Sequence, residues 1–411
     1  MKTAPAKVAE VCPHAQSFAE LTDADPYIFY DAIRNQAPLV WDDSAGGWLV
    51  TSYELCRYVE INENKFRHPY FHQTPDLLEI KGGETITVAQ GEEHARMHRF
   101  MLRLFGPQVI ESYREHHIRP IISEILRRFM KDGQAELCRQ FTDLLPPRVI
   151  LSLLDMPWQN DSVVHRVIEL HDVMMAWASG QGGTGIVDQA KAASNELNAM
   201  ILPHLRERRH NPGNDLISRV WMEWPKELGD PNEEKVLAVC REMFMAGSET
   251  TIHALANTFH ILLTNAEVLR VVNVERGAAL ANLIEEGLRL FGAVQYRYRI
   301  ANEDCMLGGI PVEKDQVLVL INSAANRDPA QFGNPNQVDI ARLRPRDHLA
   351  FNAGPRVCVG AGLARAEIAD AVSAVLDQTC NLRLDHSLQG AAFPGHFNRS
   401  FRPLHVLFDP V

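Results

Sequence analysis

A chain of 411 residues that is 46% hydrophobic can bury a large core, and its formal net charge of -11 argues against nucleic acid as a partner. Seven cysteines, Cys12, Cys56, Cys138, Cys240, Cys305, Cys358 and Cys380, form an odd, widely spaced set with no C-x-x-C, which argues for a reducing compartment without disulfides or a zinc site. The start, Met1-Lys2-Thr3-Ala4-Pro5, leads into no apolar run of signal or anchor length, so a soluble, cytoplasmic protein without a membrane segment is expected.

In chain order, Pro26 opens an amphipathic helix with Ile28, Phe29, Ala32 and Ile33 on one side, ending before Pro38. Two short strands follow, Leu39 to Trp41 and Gly47 to Thr51, and then a helix from Tyr53 to about Glu60. Residues 66–93 read as irregular, around Phe66, Pro69, Phe71, Pro75 and Gly82-Gly83, and a loop that long usually has a function. The run from Gly91 to Arg99 begins a helix on which His94 and His98, four apart, share a face. Read alone they are surface residues or a pair able to bind metal.

From Pro107 to Asn211 the texture is helical, with breaks expected at Gly133, Pro146-Pro147, Pro157 and the glycine-rich stretch Ser179 to Gly185. That last stretch would be a hinge between helices Val163 to Ala178 and Ile186 to Arg209, or an ordinary loop. Glu233 to Asn265 is long enough for one helix of roughly 50 Å. Its middle, Ala246-Gly247-Ser248-Glu249-Thr250-Thr251, is poor helix interior, so something must offset that cost. Glu286 and Arg289 then stand three apart on a helix, an ordinary surface pair when read alone. Tyr296 to Ile300, Cys305 to Leu307 and Gln316 to Ile321 look like strands.

The most informative stretch is Phe351-Asn352-Ala353-Gly354-Pro355-Arg356-Val357-Cys358-Val359-Gly360, opening a helical run from Ala361 to Leu376. Glycines at 354 and 360 permit tight turns and close approach of the backbone to a bulky group. A helix N-terminus and Arg356 would favour a thiolate at Cys358, as nucleophile or metal ligand. The spacing F-x-x-G-x-R-x-C-x-G resembles the haem-binding loop of the cytochrome P-450 family, the haem-thiolate monooxygenases, with Asn352 at an optional glycine.

The resemblance extends over nearly the whole chain. It implies a mainly α fold with a small β-region, a single domain over 1–411 with a long central helix, and one b-type haem whose iron takes the Cys358 thiolate. It also implies that His94, His98, Arg299 and Arg356 meet the haem propionates, His98 standing where the family commonly has arginine. Phe351 and Gly247 would lie at the cofactor, and Glu249 and Thr250, in A-G-x-E-T-T, would manage protons. Glu286, Arg289 and Arg342 would form a buried structural triad.

The activity implied is insertion of one oxygen atom from O2 into a small apolar organic substrate, aromatic or terpenoid, by hydroxylation or O-dealkylation. Candidate pocket residues are Phe71, Met174, Trp177, Met243, Phe244, Phe291, Val294 and Phe397. With no flavin or iron-sulfur motif in the chain, electrons would come from a ferredoxin and an NAD(P)H-dependent ferredoxin reductase, or from a single fused reductase. Arg342, Arg344, Arg346, Arg356 and Arg365 would form the docking face or a solvated cluster. The rival readings are a peroxide-driven peroxygenase of the same fold and a non-catalytic haem protein that binds or senses a ligand.

Overall fold

The computed structural model describes residues 17–22, 25–69, 74–83, 85–179 and 183–411, so Cys12, Phe71 and Gly180 to Gly182 lie outside the described residues. The chain divides into two compact units, each assembled from separated segments. One takes residues up to Pro69, His253–Cys358 and Arg383–Val406; the other takes Tyr70–Ile252, Val359–Leu382 and Leu407–Val411. The fold is mainly α with small sheets.

The first unit is organised on a five-stranded sheet, in the order Leu39–Asp42, Gly47–Val50, Val317–Leu320, Arg297–Ala301, Phe66–Arg67. Gly47–Val50 runs parallel to Val317–Leu320, and the other neighbours are antiparallel. Alternation along the strands feeds two cores. Val40, Leu49 and Val319 join Tyr27, Phe29, Tyr30 and Ile33 of the Pro26–Gln36 helix. Leu39, Trp48, Val50, Leu318 and Leu320 join Cys56 and Val59 of the Tyr53–Ile61 helix, together with Leu349. With both faces covered, these strands are apolar at nearly every position.

Local chemistry sets the helix starts. Asp25 accepts from the Tyr27 N–H with Pro26 in the first turn, and the Ser52 hydroxyl accepts from the Leu55 N–H. Ile28, assigned above to the buried side, is 56% exposed; Tyr27 and Tyr30 are buried instead, so the apolar stripe is rotated by one position.

The second unit is helical. Its Asp161–Ala178 and Ile186–His210 helices pack together, and the latter also packs on Glu233–Gly247 and Pro75–Lys81. Three expectations need correction here and in the neighbouring segment. Residues 66–93 are not irregular throughout: Phe66–Arg67 pairs as a strand, and Pro75–Lys81 is a helix capped by Thr74 and ended by Gly82 at φ 85°. Pro146-Pro147 does not break a helix but occupies the first turn of Leu145–Leu153, where the missing N–H costs nothing. The long helix is two, Glu233–Gly247 and Glu249–Thr264, parted at Ser248.

Candidate active site

In the first unit the cysteine loop is built from backbone constraints. The Cys358 N–H donates to the Phe351 carbonyl at 2.9 Å and the Val357 N–H to Gly354 at 3.2 Å. Asn352 sits at φ 63°, the left-handed region that asparagine tolerates among side-chain-bearing residues, and its amide donates to the Arg356 carbonyl at 3.0 Å. That explains a position where a glycine would also serve. Gly354, at φ 71°, must lack a side chain because a Cβ would lie 2.8 Å from the Ile61 Cα. Its backbone therefore packs closely against the end of the Tyr53–Ile61 helix. Gly360, at φ -84°, needs no such freedom. The Cys358 side chain is exposed.

Two adjacent carboxylates of the Ala281–Leu290 helix hold the segment that leads into this loop. Glu286 accepts from Arg289 Nε at 2.7 Å and Nη2 at 2.9 Å, from Arg342 Nε at 2.9 Å and from the Asp339 N–H at 2.8 Å. Arg289 spends its remaining donors on the carbonyls of Asn326, Pro335 and Gln337. Glu286 and Arg289 are thus fully buried and satisfied, not a surface pair. Burial opposes the Glu286 charge, but the Arg289 and Arg342 contacts outweigh it and hold the carboxyl below its usual range. Glu285, which sequence reading passed over, accepts from Arg346 Nε at 3.2 Å and meets His348 Nε2 at 3.0 Å. The Leu349 N–H, two residues before Phe351, donates to the Asn326 side chain at 2.7 Å.

Facing the sheet side of the loop is a cationic cluster. Arg297 and Arg299, two apart on one strand, project from the same face, and burial pulls Arg299 down to about 10. Arg299 Nη1 donates to the neighbouring Tyr298 carbonyl, and Arg297 Nη2 to Ala350. Arg297 Nη1 is buried without a hydrogen-bond partner. Burial also lowers Arg297, against support from Glu60 and the Cys358 thiol. Arg356 Nε donates to Glu63 at 2.7 Å. Three guanidiniums thus face two carboxylates, Glu60 and Glu63, a set that fits a ligand bearing anionic groups beside an exposed thiol. Arg297, Glu60 and Glu63 were missed in the sequence; the R-x-R spacing on a strand was the available signal for the first.

In the second unit His94 and His98 lie on the Gly91–Leu104 helix with ring centroids 5.7 Å apart, His94 buried and His98 half-buried. Among the described residues no group of three or more metal-ligating side chains occurs.

The helix break shows what offsets its poor composition. Ser248 Oγ donates to the Phe244 carbonyl at 3.2 Å, Thr250 Oγ1 to Ala246 at 3.1 Å and Thr251 Oγ1 to Gly247 at 3.2 Å. Thr251 is buried and Thr250 is more accessible. A Cβ at Gly247 would meet Ile150 Cδ1 at 2.7 Å, so a larger residue there would have to push that side-chain tip aside.

Of the pocket candidates, Met174 and Phe244 are completely buried, Met243 is nearly so, and Trp177 is half-buried. In the first unit Phe291 packs edge-on to Phe401, while Val294 bridges to Asn398 beside Phe397. The five-arginine docking face needs revision: Arg342 and Arg356 turn inward onto Glu286 and Glu63, whereas Arg344 and Arg346 are 85% and 73% exposed.

A family model described as Cytochrome P450 matches residues 150–389. Pulcherriminic acid synthase of Bacillus subtilis is 26% identical, over 95% of this chain and 98% of that one. Cytochrome P450 109 of Bacillus spizizenii is 26% identical, over 98% and 97%. The solved structure of CYP109E1 from Bacillus megaterium, in complex with testosterone, superimposes with a TM-score of 0.81 at 24% identity, covering 93% of this chain and 99% of that one.

Proposed function

The chain belongs to the cytochrome P450 family, monooxygenases that bind haem through a cysteine thiolate, and we propose that Cys358 is the thiolate ligand here and that residues 1–411 act as one such domain. The observation that carries the assignment is the pairing of an exposed thiol with a buried cationic excess at Arg297, Arg299 and Arg356. When bound, the haem supplies the activation of dioxygen.

The chain's own residues hold and feed that group. Arg299 and Arg356 of the first unit, and His94 and His98 of the second, would meet its propionates, and Phe351 and Gly247 would lie at it. The Glu286–Arg289–Arg342 network fixes the approach to the loop. Glu249 and the Thr250 hydroxyl, more accessible than that of Thr251, would manage the protons that this chemistry consumes. The substrate is a small apolar molecule, aromatic or terpenoid, taken through hydroxylation or O-dealkylation; its candidate contacts are Met174, Trp177 and Met243 in the second unit and Phe291, Val294 and Phe397 in the first. Electrons come from separate cytoplasmic redox proteins, for which Arg344 and Arg346 offer exposed charge.

The reduced carbonyl complex tests the ligand: a strongly red-shifted Soret band is expected in the wild type and none in Cys358→His. A band that survives the substitution removes Cys358 from the iron. Supplying substrate with either NADH and redox proteins or peroxide separates the monooxygenase from a peroxygenase, and product in neither would favour a ligand-binding haem protein.

A further inference from the structure

The last four carbonyls of the Glu233–Gly247 helix belong to Phe244, Met245, Ala246 and Gly247, the groups a helix end leaves open. Three are closed by the hydroxyl four residues on, from Ser248, Thr250 and Thr251. The fourth breaks the series. Four residues after Met245 stands Glu249, and an ionised carboxylate only accepts.

The donor comes from elsewhere. His171, on the Asp161–Ala178 helix and 4% exposed, places Nε2 3.1 Å from the Met245 carbonyl. A carbonyl cannot donate, so Nε2 carries the proton. The same nitrogen lies 4.0 Å from Glu249 Oε2, while Nδ1 lies 3.6 Å from Asp172 Oδ1. One imidazole therefore closes the carbonyl that the sequence leaves open and stands beside the carboxylate responsible for the gap.

We propose that His171 is the positioning residue of Glu249: it fixes the turn from which that carboxylate projects and flanks the carboxylate itself. The backbone part of this is independent of the catalytic role given to Glu249; the functional part rests on it.

Hydrogen–deuterium exchange of the holoenzyme over residues 245–252, read beside product formed per NADH consumed and the spectral substrate-binding constant, separates the two. In His171→Leu, exchange should rise about five- to tenfold, the scale of one lost hydrogen bond. Coupling should fall several-fold, with substrate affinity within about twofold of wild type if only the positioning is lost. His171→Gln retains an N–H donor and should recover both. Glu249→Thr restores the series of hydroxyls, so the double variant Glu249→Thr with His171→Leu should exchange like the wild type while remaining uncoupled. Wild-type exchange in His171→Leu, or exchange in His171→Gln as fast as in His171→Leu, overturns the proposal. Fast exchange in His171→Leu with full coupling would instead sink the role assigned to Glu249 and leave the backbone assignment standing.

Discussion

The cysteine loop and the helix break both depart from regular backbone geometry, but they are held by opposite means. The approach to the loop hangs on a buried, charged network reaching from Glu285 and Glu286 to Asp339, Arg342 and His348. Three of the four open carbonyls at the break are closed by neutral hydroxyls no more than four residues away. A charged network whose members are bonded to one another resists partial change, since removing one member strands another. A row of separate neutral bonds can lose one member at modest cost. The loop is therefore built to stay fixed and the break to be adjustable.

The largest test of that contrast is Arg289→Leu. It takes from the buried Glu286 its bidentate partner and leaves only the Arg342 and Asp339 contacts, so unfolding stability should fall by about 3–5 kcal/mol, with haem lost from the purified protein. A loss below about 1 kcal/mol would show that the network is dispensable. Its pH dependence has a definite sign. Glu286 is held below its unperturbed 4.5, so its contribution is complete above that value and disappears as pH falls through the lower folded value. The stability gap between wild type and Glu286→Gln should accordingly narrow on acidification below pH 4.5, and a gap independent of pH there would contradict the pairing.

Next in size is Asn352. Valine at φ 63° should cost roughly 1–3 kcal/mol and speed haem transfer to an apo-acceptor, whereas glycine should stay within about 1 kcal/mol of wild type. Equal behaviour of the two variants would mean that the left-handed turn is not what holds the loop.

The smallest stability effects belong to the break. Thr250→Ala and Thr251→Ala should each cost about 0.5–1.5 kcal/mol, the buried Thr251 more than Thr250. Function should rank them in reverse: Thr250→Ala diverts reducing equivalents to peroxide with haem and substrate binding nearly intact, and Thr251→Ala stays coupled. Swapped coupling would transfer the proton role to Thr251.

What could be read in the sequence was local. The Asp161–Ala178 and Ile186–His210 helices were expected within two residues at each end, because periodicity and capping residues such as Asn160 act over a few positions. The strand Ile310–Val312 escaped notice, since the proline at its centre, Pro311, argues against a strand. Most of the site's support also escaped. His171 meets the Met245 carbonyl 74 positions away, Glu285 meets His348 63 away, and Arg356 meets Glu63 293 away. No period or spacing encodes such pairs. The Glu286–Arg289–Arg342 triad was legible only through family resemblance, because three charges in sequence do not reveal whether they are buried.

The parallel pairing of Gly47–Val50 with Val317–Leu320 also bears on synthesis. The hairpin Leu39–Asp42 with Gly47–Val50 can close as soon as it leaves the ribosome, but the partner for its other edge emerges about 270 residues later, roughly 14 to 54 s at 5–20 residues per second. Throughout that interval Trp48, Leu49 and Val50 line an apolar strand whose backbone donors and acceptors on one side are unpaired. A nascent chain stalled before Val317 thus carries a sticky edge, and holdase chaperones should load onto N-terminal fragments that end short of that strand and dissociate from chains that include it.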